Sequence, residues 1–371
     1  MTVLLDGSFA GEWAKFGFEE VLFNVKNDLA DNETTKSPIK EHAELILNAD
    51  MLSNKSPLER LQDNRGMVEF VAKISDYIVN SHATLVAAID RIRPDLFVVD
   101  NFLVPPAILR ADIPWIFLCS SNPLLILESP NLPPSGSGYA STIDNRPKWE
   151  EYRRLEQQVY GGFYYRAQKK LCQCLGYLPT DADLAFRKPN AANNEVYFML
   201  HSPWLNVLNY PRELDYQDIE PLGEKFAAVD TLCEFDSTTP KSFELPKEFA
   251  DLPSKDGKII YFSLGSMGSI DLALVKRVCL ILAQTPYKVI VSKGPLGDEY
   301  DLPPNCWGQP YLPQTKILSM DSLALVITHG GNNTVTGEID LCEKSVALII
   351  SFAFTYRGVC ARQAYDLFTS L

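Results

Sequence analysis

The sequence predicts an α/β protein built from two Rossmann-like, doubly wound domains. The chain has 371 residues and is 46% hydrophobic, which is enough for two domains that each bury a core. Short β-branched runs such as Leu96–Val99 and Lys288–Val291 are typical of strands in buried parallel sheets. These runs alternate with longer helical patterns, as in β-α-β units. We therefore expect parallel sheets that are covered by helices on both faces.

The first predicted domain comprises residues 1–235. It begins with a strand at Val3–Leu5, which a helix and turn over Ala10–Glu20 follow. Apolar residues then recur at helical spacing from Asn64 to Arg93. That long helix leads into a buried strand, Asp95–Asp100, which ends in a carboxylate.

The remainder of this domain contains one more strand and an irregular stretch. The strand Trp115–Leu118 ends in a polar turn. Residues 124–195 are rich in Pro, Tyr and charge, and they include a helical pattern at Tyr152–Cys174. Such an insertion often covers a ligand, but it is equally compatible with an ordinary surface elaboration.

A linker is predicted over residues 236–257, where Pro, Ser, Thr and charged residues show no sustained apolar period. The second domain, residues 258–371, alternates strands and helices in the order of a doubly wound fold. Its predicted elements are strands at Lys258–Ser263, Lys288–Val291, Leu323–Thr328 and Val346–Ile350, a glycine turn at Gly265 and Gly268, and helices at Leu272–Leu282 and from Asn333.

Charge and hydropathy exclude several classes of function. A net charge of −13 disfavours a nucleic-acid partner, because binding to phosphate backbones depends on clustered Lys and Arg. No apolar run approaches the ~18 residues that a membrane span requires, and no signal peptide opens the chain. We expect a cytoplasmic protein without a membrane segment, unless the ends of the sequence are incomplete and a signal or anchor was lost with them.

The eight cysteines are scattered through apolar surroundings, which is typical of reduced core thiols. Cys172 and Cys174 form a C-x-C pair, but no second Cys or His pair follows at zinc-site spacing. The sequence therefore predicts neither a metal nor another cofactor.

The most informative motif follows the buried strand Leu325–Thr328. It consists of His329, Gly330, Gly331, Asn332, Asn333 and Thr334. Glycines between a strand and a helix allow the backbone to approach a phosphate group closely, and the polar side chains add hydrogen-bond donors. This pattern predicts a diphosphate cradle at the carboxyl edge of a sheet. The alternative is a tight turn followed by an asparagine-capped helix.

Two further motifs favour a nucleotide ligand. The stretch Tyr311–Gln314 (YLPQ) offers an aromatic face that can stack on a base, with polar groups beside it. The stretch Ser263–Ser266 (SLGS) forms a second glycine turn after a strand.

Together these motifs resemble the donor-binding signature of the UDP-glycosyltransferases, which are family-1 glycosyltransferases of GT-B fold. The resemblance covers most of the chain and implies two Rossmann-like domains that face a cleft. It assigns Tyr311 to stacking on uracil and Gln314 to the base and ribose region. It assigns the diphosphate to Ser266, His329, Gly331, Asn333 and Thr334. Glu338 stands one residue after the position of the family's ribose-binding glutamate.

The resemblance also implies a damaged reaction centre. Asp100 matches the aspartate that orients the family's catalytic histidine, although a strand-end carboxylate can also cap the next turn. The family carries that histidine in a glycine-histidine turn after the first strand, and no residue here fills this place because Met1 already corresponds to the approach to the second strand. His42, His82 and His201 are interpreted as ordinary surface or loop residues. The resemblance therefore implies a chain that is truncated at both ends.

Loss of a central first strand would leave unpaired edges in the first sheet. At the other end, residues 351–361 lack the family's contacts to the donor sugar. The implied activity is inverting transfer of a hexose from a UDP-sugar to a hydroxyl of a small lipophilic acceptor, impaired in this chain. The alternative is a non-catalytic relative that binds UDP or a UDP-sugar.

Overall fold

The computed structural model describes residues 1–23, 55–63, 65–120, 122–125, 127, 129–141, 143–160, 163–178, 201–210, 215–229, 244–331 and 346–349. The strands are β1 Thr2–Asp6, β2 Glu19–Phe23, β3 Phe97–Val99, β4 Trp115–Cys119, β5 Leu205–Asn209, β6 Phe226–Val229, β7 Ile259–Ser263, β8 Lys288–Ser292, β9 Cys306–Gln309, β10 Leu323–Thr328 and β11 Val346–Ile349. The helices are α1 Pro57–Gln62, α2 Arg65–Ile92, α3 Pro106–Arg110, α4 Arg146–Tyr160, α5 Phe163–Cys174, α6 Lys247–Ala250, α7 Gly265–Gly268, α8 Leu272–Leu282 and α9 Gln314–Leu318.

All strand pairs in this part of the chain are parallel, as the sequence predicts. The first part contains a two-stranded sheet, β1-β2, and a four-stranded sheet, β3-β4-β5-β6. Among the described residues β1 pairs only with β2, and β3 pairs only with β4. Within the described residues, the strands of this first part are thus divided between two sheets.

Helix α2 packs on both sheets of this part of the chain, the sheet β1-β2 and the sheet β3-β4-β5-β6. Leu85 of α2 packs in a buried cluster with β3 and β4, and Leu4 of β1 lies against the same cluster. Helix α2 also packs on β2, where the Tyr77 and Phe23 rings meet edge to face at 4.7 Å between centroids. One long amphipathic helix therefore contributes to the packing of both sheets.

The helix predicted over Ala10–Glu20 is wrong. This segment contains the 3-10 helix Ala14–Phe16, and β2 already begins at Glu19. The carboxylate of Glu20 accepts hydrogen bonds from the backbone N–H groups of Gly11, Trp13 and Ala14 at 2.7 to 2.9 Å. A side chain that returns from the next strand therefore satisfies the donors that a helix would have used.

Two further predictions need correction. The strand predicted at Asp95–Asp100 is shorter, Phe97–Val99, and it is not fully buried because Val98 is 59% exposed. The helical pattern at Tyr152–Cys174 belongs to two helices, α4 and α5.

The second part contains a five-stranded sheet in the order β11-β10-β7-β8-β9. Four of its strands and helix α8 match the predicted elements closely, whereas β9 and α9 were not predicted, and the helix predicted from Asn333 lies outside the described residues. One face of the sheet packs against α8 through Phe262 and Val275. The other face packs against α9 through Tyr261 and Ile317. The sheet is therefore covered on both faces, as expected of a doubly wound domain.

The segment predicted as a linker is in part packed on this second sheet. Phe249 of α6 is buried in the cluster that contains Ile259 and Ile317. Residues 244–257 therefore contribute to the core beside them.

The described helices include none that is both long enough and apolar enough to cross a bilayer. Five cysteines fall in the described residues, and none of these five forms a disulfide bond: Cys119, Cys172, Cys174, Cys279 and Cys306. All of them except Cys174 are buried.

We predict that Gly308→Ala destabilises the second sheet. A Cβ atom at Gly308 would lie 1.9 Å from the backbone oxygen of Val291 on the neighbouring strand β8. Since the strand backbone cannot move aside cheaply, we expect a loss of about 1 to 3 kcal/mol in the free energy of unfolding. Hydrogen exchange of the β8 and β9 amides should accelerate accordingly.

Gly223→Ala is the matched control, because its Cβ would meet only Phe226 Cδ2, at 3.8 Å. We expect this variant to change the free energy of unfolding by less than about 0.5 kcal/mol. Equal exchange rates in wild type and Gly308→Ala would contradict the close approach of β8 and β9.

Candidate functional site

Two glycine turns lie side by side at the carboxyl edge of the second sheet. Strands β7 and β10 pair with Ser263 opposite Thr328, so that the two chains leave the sheet at the same level. The Ser263 hydroxyl oxygen accepts from the N–H of Gly265 at 3.4 Å, and that of Thr328 accepts from Gly330 at 3.2 Å. Both strands thus end in the same hydroxyl-supported turn.

Both turns require glycine. Gly265 has a φ of 66° and Gly330 a φ of 78°, in the left-handed region that side chains other than glycine rarely adopt. The backbone can therefore turn sharply at the end of each strand, and no side chain covers the turn.

The imidazole ring of His329 fills the space between the two turns. A Cβ atom at Gly265 would lie 2.5 Å from His329 Cε1, and one at Gly331 would lie 2.5 Å from Nε2. Neither position has room for a side chain while the ring stays in place. The glycines of the motif are therefore required by the histidine as well as by the turns.

The position of this ring favours its neutral form. Burial lowers the pKa of His329, and an interaction with the backbone of Ser263 partly opposes that effect. Nδ1 is buried and has no hydrogen-bond partner among the described residues. At neutral pH the ring is thus an uncharged imidazole, which offers one N–H donor and one acceptor nitrogen.

Ser269 stabilises the turn after β7 through a hydrogen bond. Its hydroxyl donates to the carbonyl oxygen of Gly265 at 2.5 Å, and the residue is 1% exposed. Ser266 lies in the intervening turn, α7, and is exposed. Ser266, the predicted phosphate contact, is therefore accessible to a ligand. The hydrogen bond from Ser269 stabilises the turn at its first residue, Gly265.

Ser263, Thr328 and Ser269 belong to this site, although the motif analysis gave none of them a role. A signal for two of them is present in the sequence, since Ser263-Leu264-Gly265 and Thr328-His329-Gly330 repeat one Ser/Thr-x-Gly pattern at strand ends.

The predicted base-binding residues follow β9. Tyr311 is 57% exposed, so its ring is open to a ligand. Gln314 begins α9 and is partly buried, and its Oε1 accepts a hydrogen bond from the Tyr261 hydroxyl at 3.2 Å. The carbonyl of Pro310 accepts from the N–H of Gly294 at 3.1 Å, which ties this loop to the end of β8.

Asp100 lies directly after β3, as predicted, and the residue is exposed overall. Partial desolvation of the carboxyl group nevertheless raises the pKa of Asp100. The Ser120 hydroxyl donates a hydrogen bond to Oδ1 at 2.9 Å, and this bond lowers the pKa in part. Among the described residues, Ser120 is the partner of this carboxylate, and no histidine bonds to it.

Not all of the predicted site falls in the described part of the chain. Asn333, Thr334 and Glu338 lie outside the described residues, as does His42.

Two of the histidines that were interpreted as surface or loop residues fall in the described part of the chain, and His201 does lie in the loop before β5. His82 lies in helix α2 and is partly buried, with an Nδ1 atom that has no partner among the described residues. His201 is only 8% exposed and packs edge to face on the ring of Phe226, 5.4 Å away between centroids.

No group of three or more His, Cys, Asp or Glu side chains that could hold a metal ion occurs within the described ranges.

We predict that Gly265→Ala disturbs His329 beyond the strain of its backbone. Gly257 is the matched control, because it has a similar φ of 67° but open space around its Cβ position. We expect Gly257→Ala to cost about 1 to 2 kcal/mol from strain alone, and Gly265→Ala to cost at least about 1 kcal/mol more. Thermal and denaturant unfolding measure the difference, and equal costs would contradict the contact with the ring.

We predict that His329 makes the protein less stable in mild acid. The unfolded imidazole titrates near ~6.5, whereas the folded pKa is lower, so the unfolded chain holds more protons between the two values. The free energy of unfolding therefore rises with pH in that window and falls as the pH drops through it.

The measurement compares wild type with His329→Gln. The other three histidines are present in both proteins, so their contributions to the pH dependence of stability cancel in the difference. The stability of wild type relative to this variant should decrease between pH ~7.5 and pH ~5. A relative stability that stays constant or grows on acidification would show that the pKa of His329 is not lowered.

Comparison with known proteins identifies the fold. No protein-family model matches the chain, and no curated protein matches it in sequence. Three solved structures are similar over 99% of this chain and 76% of their own. They are the glycosyltransferase of kitacinnamycin (TM-score 0.52, 16% identity), the calicheamicin glycosyltransferase (0.50, 18%) and UDP-glucose:anthocyanidin 3-O-glucosyltransferase (0.50, 12%). The chain thus has the α/β GT-B fold of the family-1 glycosyltransferases.

Proposed function

We propose that this chain is a relative of the UDP-glycosyltransferases and binds a UDP-sugar at the carboxyl edge of its second sheet. The observation that carries the proposal is the pair of glycine turns after β7 and β10, with the neutral His329 ring between them. Turns of this kind leave backbone N–H groups exposed to a phosphate, and the ring adds a donor without a competing side chain.

The rest of the nucleotide has candidate contacts on the same side of the sheet. Ser266 offers a hydroxyl to the diphosphate, and the exposed ring of Tyr311 offers a stacking surface to uracil. Gln314 offers a side-chain amide to the base and ribose region. Asn333, Thr334 and Glu338 complete the proposed site on the basis of the motif alone.

One structural neighbour supports the choice of ligand. The anthocyanidin 3-O-glucosyltransferase structure contains UDP, and UDP-glucose is named as its donor. The same nucleotide suits the present site, which offers an aromatic ring and uncharged donors. The proposed reaction is transfer of a hexose to a hydroxyl of a small lipophilic acceptor with inversion at the anomeric carbon.

A second candidate function is binding of UDP or a UDP-sugar without transfer. It is favoured by the surroundings of Asp100, whose carboxylate accepts from Ser120 and from no histidine in the described part of the chain. Transfer requires a group that takes the proton of the acceptor hydroxyl, and general bases of this kind contribute ~10² to 10⁴ in rate.

The test begins with calorimetric titration of the full chain with UDP. His329→Ala should weaken binding at least about 10-fold, because a hydrogen bond to a charged group is lost. Tyr311→Ala should weaken it about 5- to 100-fold, whereas Tyr311→Phe keeps the stacking ring and should stay within about 2-fold of wild type. Absence of UDP affinity in the wild-type chain would overturn both candidate functions.

Transfer is tested separately with UDP-glucose and a panel of small phenols and alcohols. A glycoside of inverted anomeric configuration supports the transferase, and Asp100→Asn should then reduce its formation by about 100-fold or more. Tight UDP binding with no product above background supports the second candidate instead.

A further inference from the structure

We propose that Tyr261, a buried residue of strand β7, is a positioning residue for the nucleotide site and acts through Gln314. The inference rests on the proposed binding of UDP and adds a residue to which the sequence motifs give no role. Its basis is the hydrogen bond from the Tyr261 hydroxyl to Gln314 Oε1, at 3.2 Å.

The packing of the sheet explains why these two residues meet. Tyr261 is 1% exposed and lies on the sheet face that α9 covers, where Ile317 and Leu318 are buried with it. Gln314 is the first residue of that helix. The phenol ring therefore lies beneath the helix, and its hydroxyl reaches the end of the helix that faces the proposed site.

In the structure the Tyr261 hydroxyl donates to the oxygen of the Gln314 amide, and this contact orients the side chain. A Gln side chain carries one acceptor oxygen and two N–H donors, and rotation about its last bond exchanges their positions. With Oε1 accepting from Tyr261, the amide nitrogen is directed to the opposite side. Gln314 then meets a nucleotide as a donor, which suits the oxygen atoms of a ribose or a pyrimidine base.

The same strand also supports the diphosphate turn. Ser263 lies two residues after Tyr261 and on the same face, and its hydroxyl accepts from Gly265 at the start of that turn. Alternate residues of β7 thus support the base side and the phosphate side of one site. A displacement of this strand would affect both halves together.

A purely structural role is the competing explanation. A buried phenol hydroxyl needs a hydrogen-bond partner, and Gln314 supplies one whatever the residue binds. That role predicts a change in stability when the hydroxyl is removed, but it predicts no coupling between Tyr261 and Gln314 in the affinity for UDP.

The experiment is a double-mutant cycle on the full chain with UDP as the probe. It comprises wild type, Tyr261→Phe, Gln314→Ala and the double variant, each titrated by calorimetry and melted in parallel. We expect Tyr261→Phe to weaken UDP binding about 3- to 10-fold, because one orienting hydrogen bond is lost. In the Gln314→Ala background, Tyr261→Phe should change the affinity for UDP by less than about 1.5-fold, because the amide that Tyr261 orients is already absent.

Tyr300→Phe is the matched control. Tyr300 is another largely buried tyrosine of this domain, and its hydroxyl donates to the carbonyl of Lys293 at 3.4 Å, away from Gln314. We expect it to change the melting temperature about as much as Tyr261→Phe does, with unchanged affinity for UDP. Wild-type affinity in Tyr261→Phe, or an effect that persists in full without Gln314, would overturn the inference.

An NMR measurement without UDP separates this inference from the proposed function. In protein labelled at glutamine side chains, the Gln314 amide signals, assigned through Gln314→Ala, should shift and broaden in Tyr261→Phe but not in Tyr300→Phe. That result together with no UDP affinity in wild type would overturn the proposed function while the orienting contact stands. Unchanged amide signals in Tyr261→Phe would overturn the contact itself.

Discussion

The register between β7 and β10 is the constraint on which the candidate site depends. It places Ser263 opposite Thr328, so that two glycine turns leave the sheet next to each other. A shift by one residue would move every side chain of β10 to the other face and separate the turns. The ring of His329 then fits because neither Gly265 nor Gly331 carries a side chain that would meet it. The candidate site therefore needs three features together: the pairing of β7 with β10, the left-handed backbone at the glycines, and the placement of the His329 ring.

This arrangement explains how an acidic protein can offer a site to an anionic ligand. The net charge of −13 repels phosphate at long range, and screening limits that repulsion to about 10 Å in ordinary salt. At short range the exposed hydroxyl of Ser266 and the imidazole of His329 lie at the end of this sheet as uncharged hydrogen-bonding groups. Such donors do not depend on a basic surface, so a net charge that disfavours nucleic acid is compatible with a diphosphate ligand.

Local patterns predicted the elements of the second sheet well, because β-branched runs and helical spacing mark them within a few residues. Helix α8, Leu272–Leu282, matches the sequence prediction at both ends. Contacts between distant segments were not predictable in this way. The return of Glu20 onto the backbone at Gly11 replaced a predicted helix, and the fit of His329 against Gly265 depends on strand order. The hydrogen bond between Tyr261 and Gln314 likewise requires knowledge of which face α9 covers.

The proposed reaction has two parts, nucleotide binding and transfer, and the residues for these two parts lie on strands that are packed to different extents. The nucleotide half lies on a five-stranded sheet with helices on both faces, so its donors are fixed by many contacts. Asp100 follows the three-residue strand β3, which pairs on one side in the described part of the chain and leaves Val98 exposed. Catalysis needs reacting groups held to within about 0.5 Å, whereas binding tolerates more. The proposed nucleotide binding therefore draws on more of the described structure than the proposed transfer does, because transfer also needs a group that accepts the acceptor's proton, and the described residues place no histidine on Asp100.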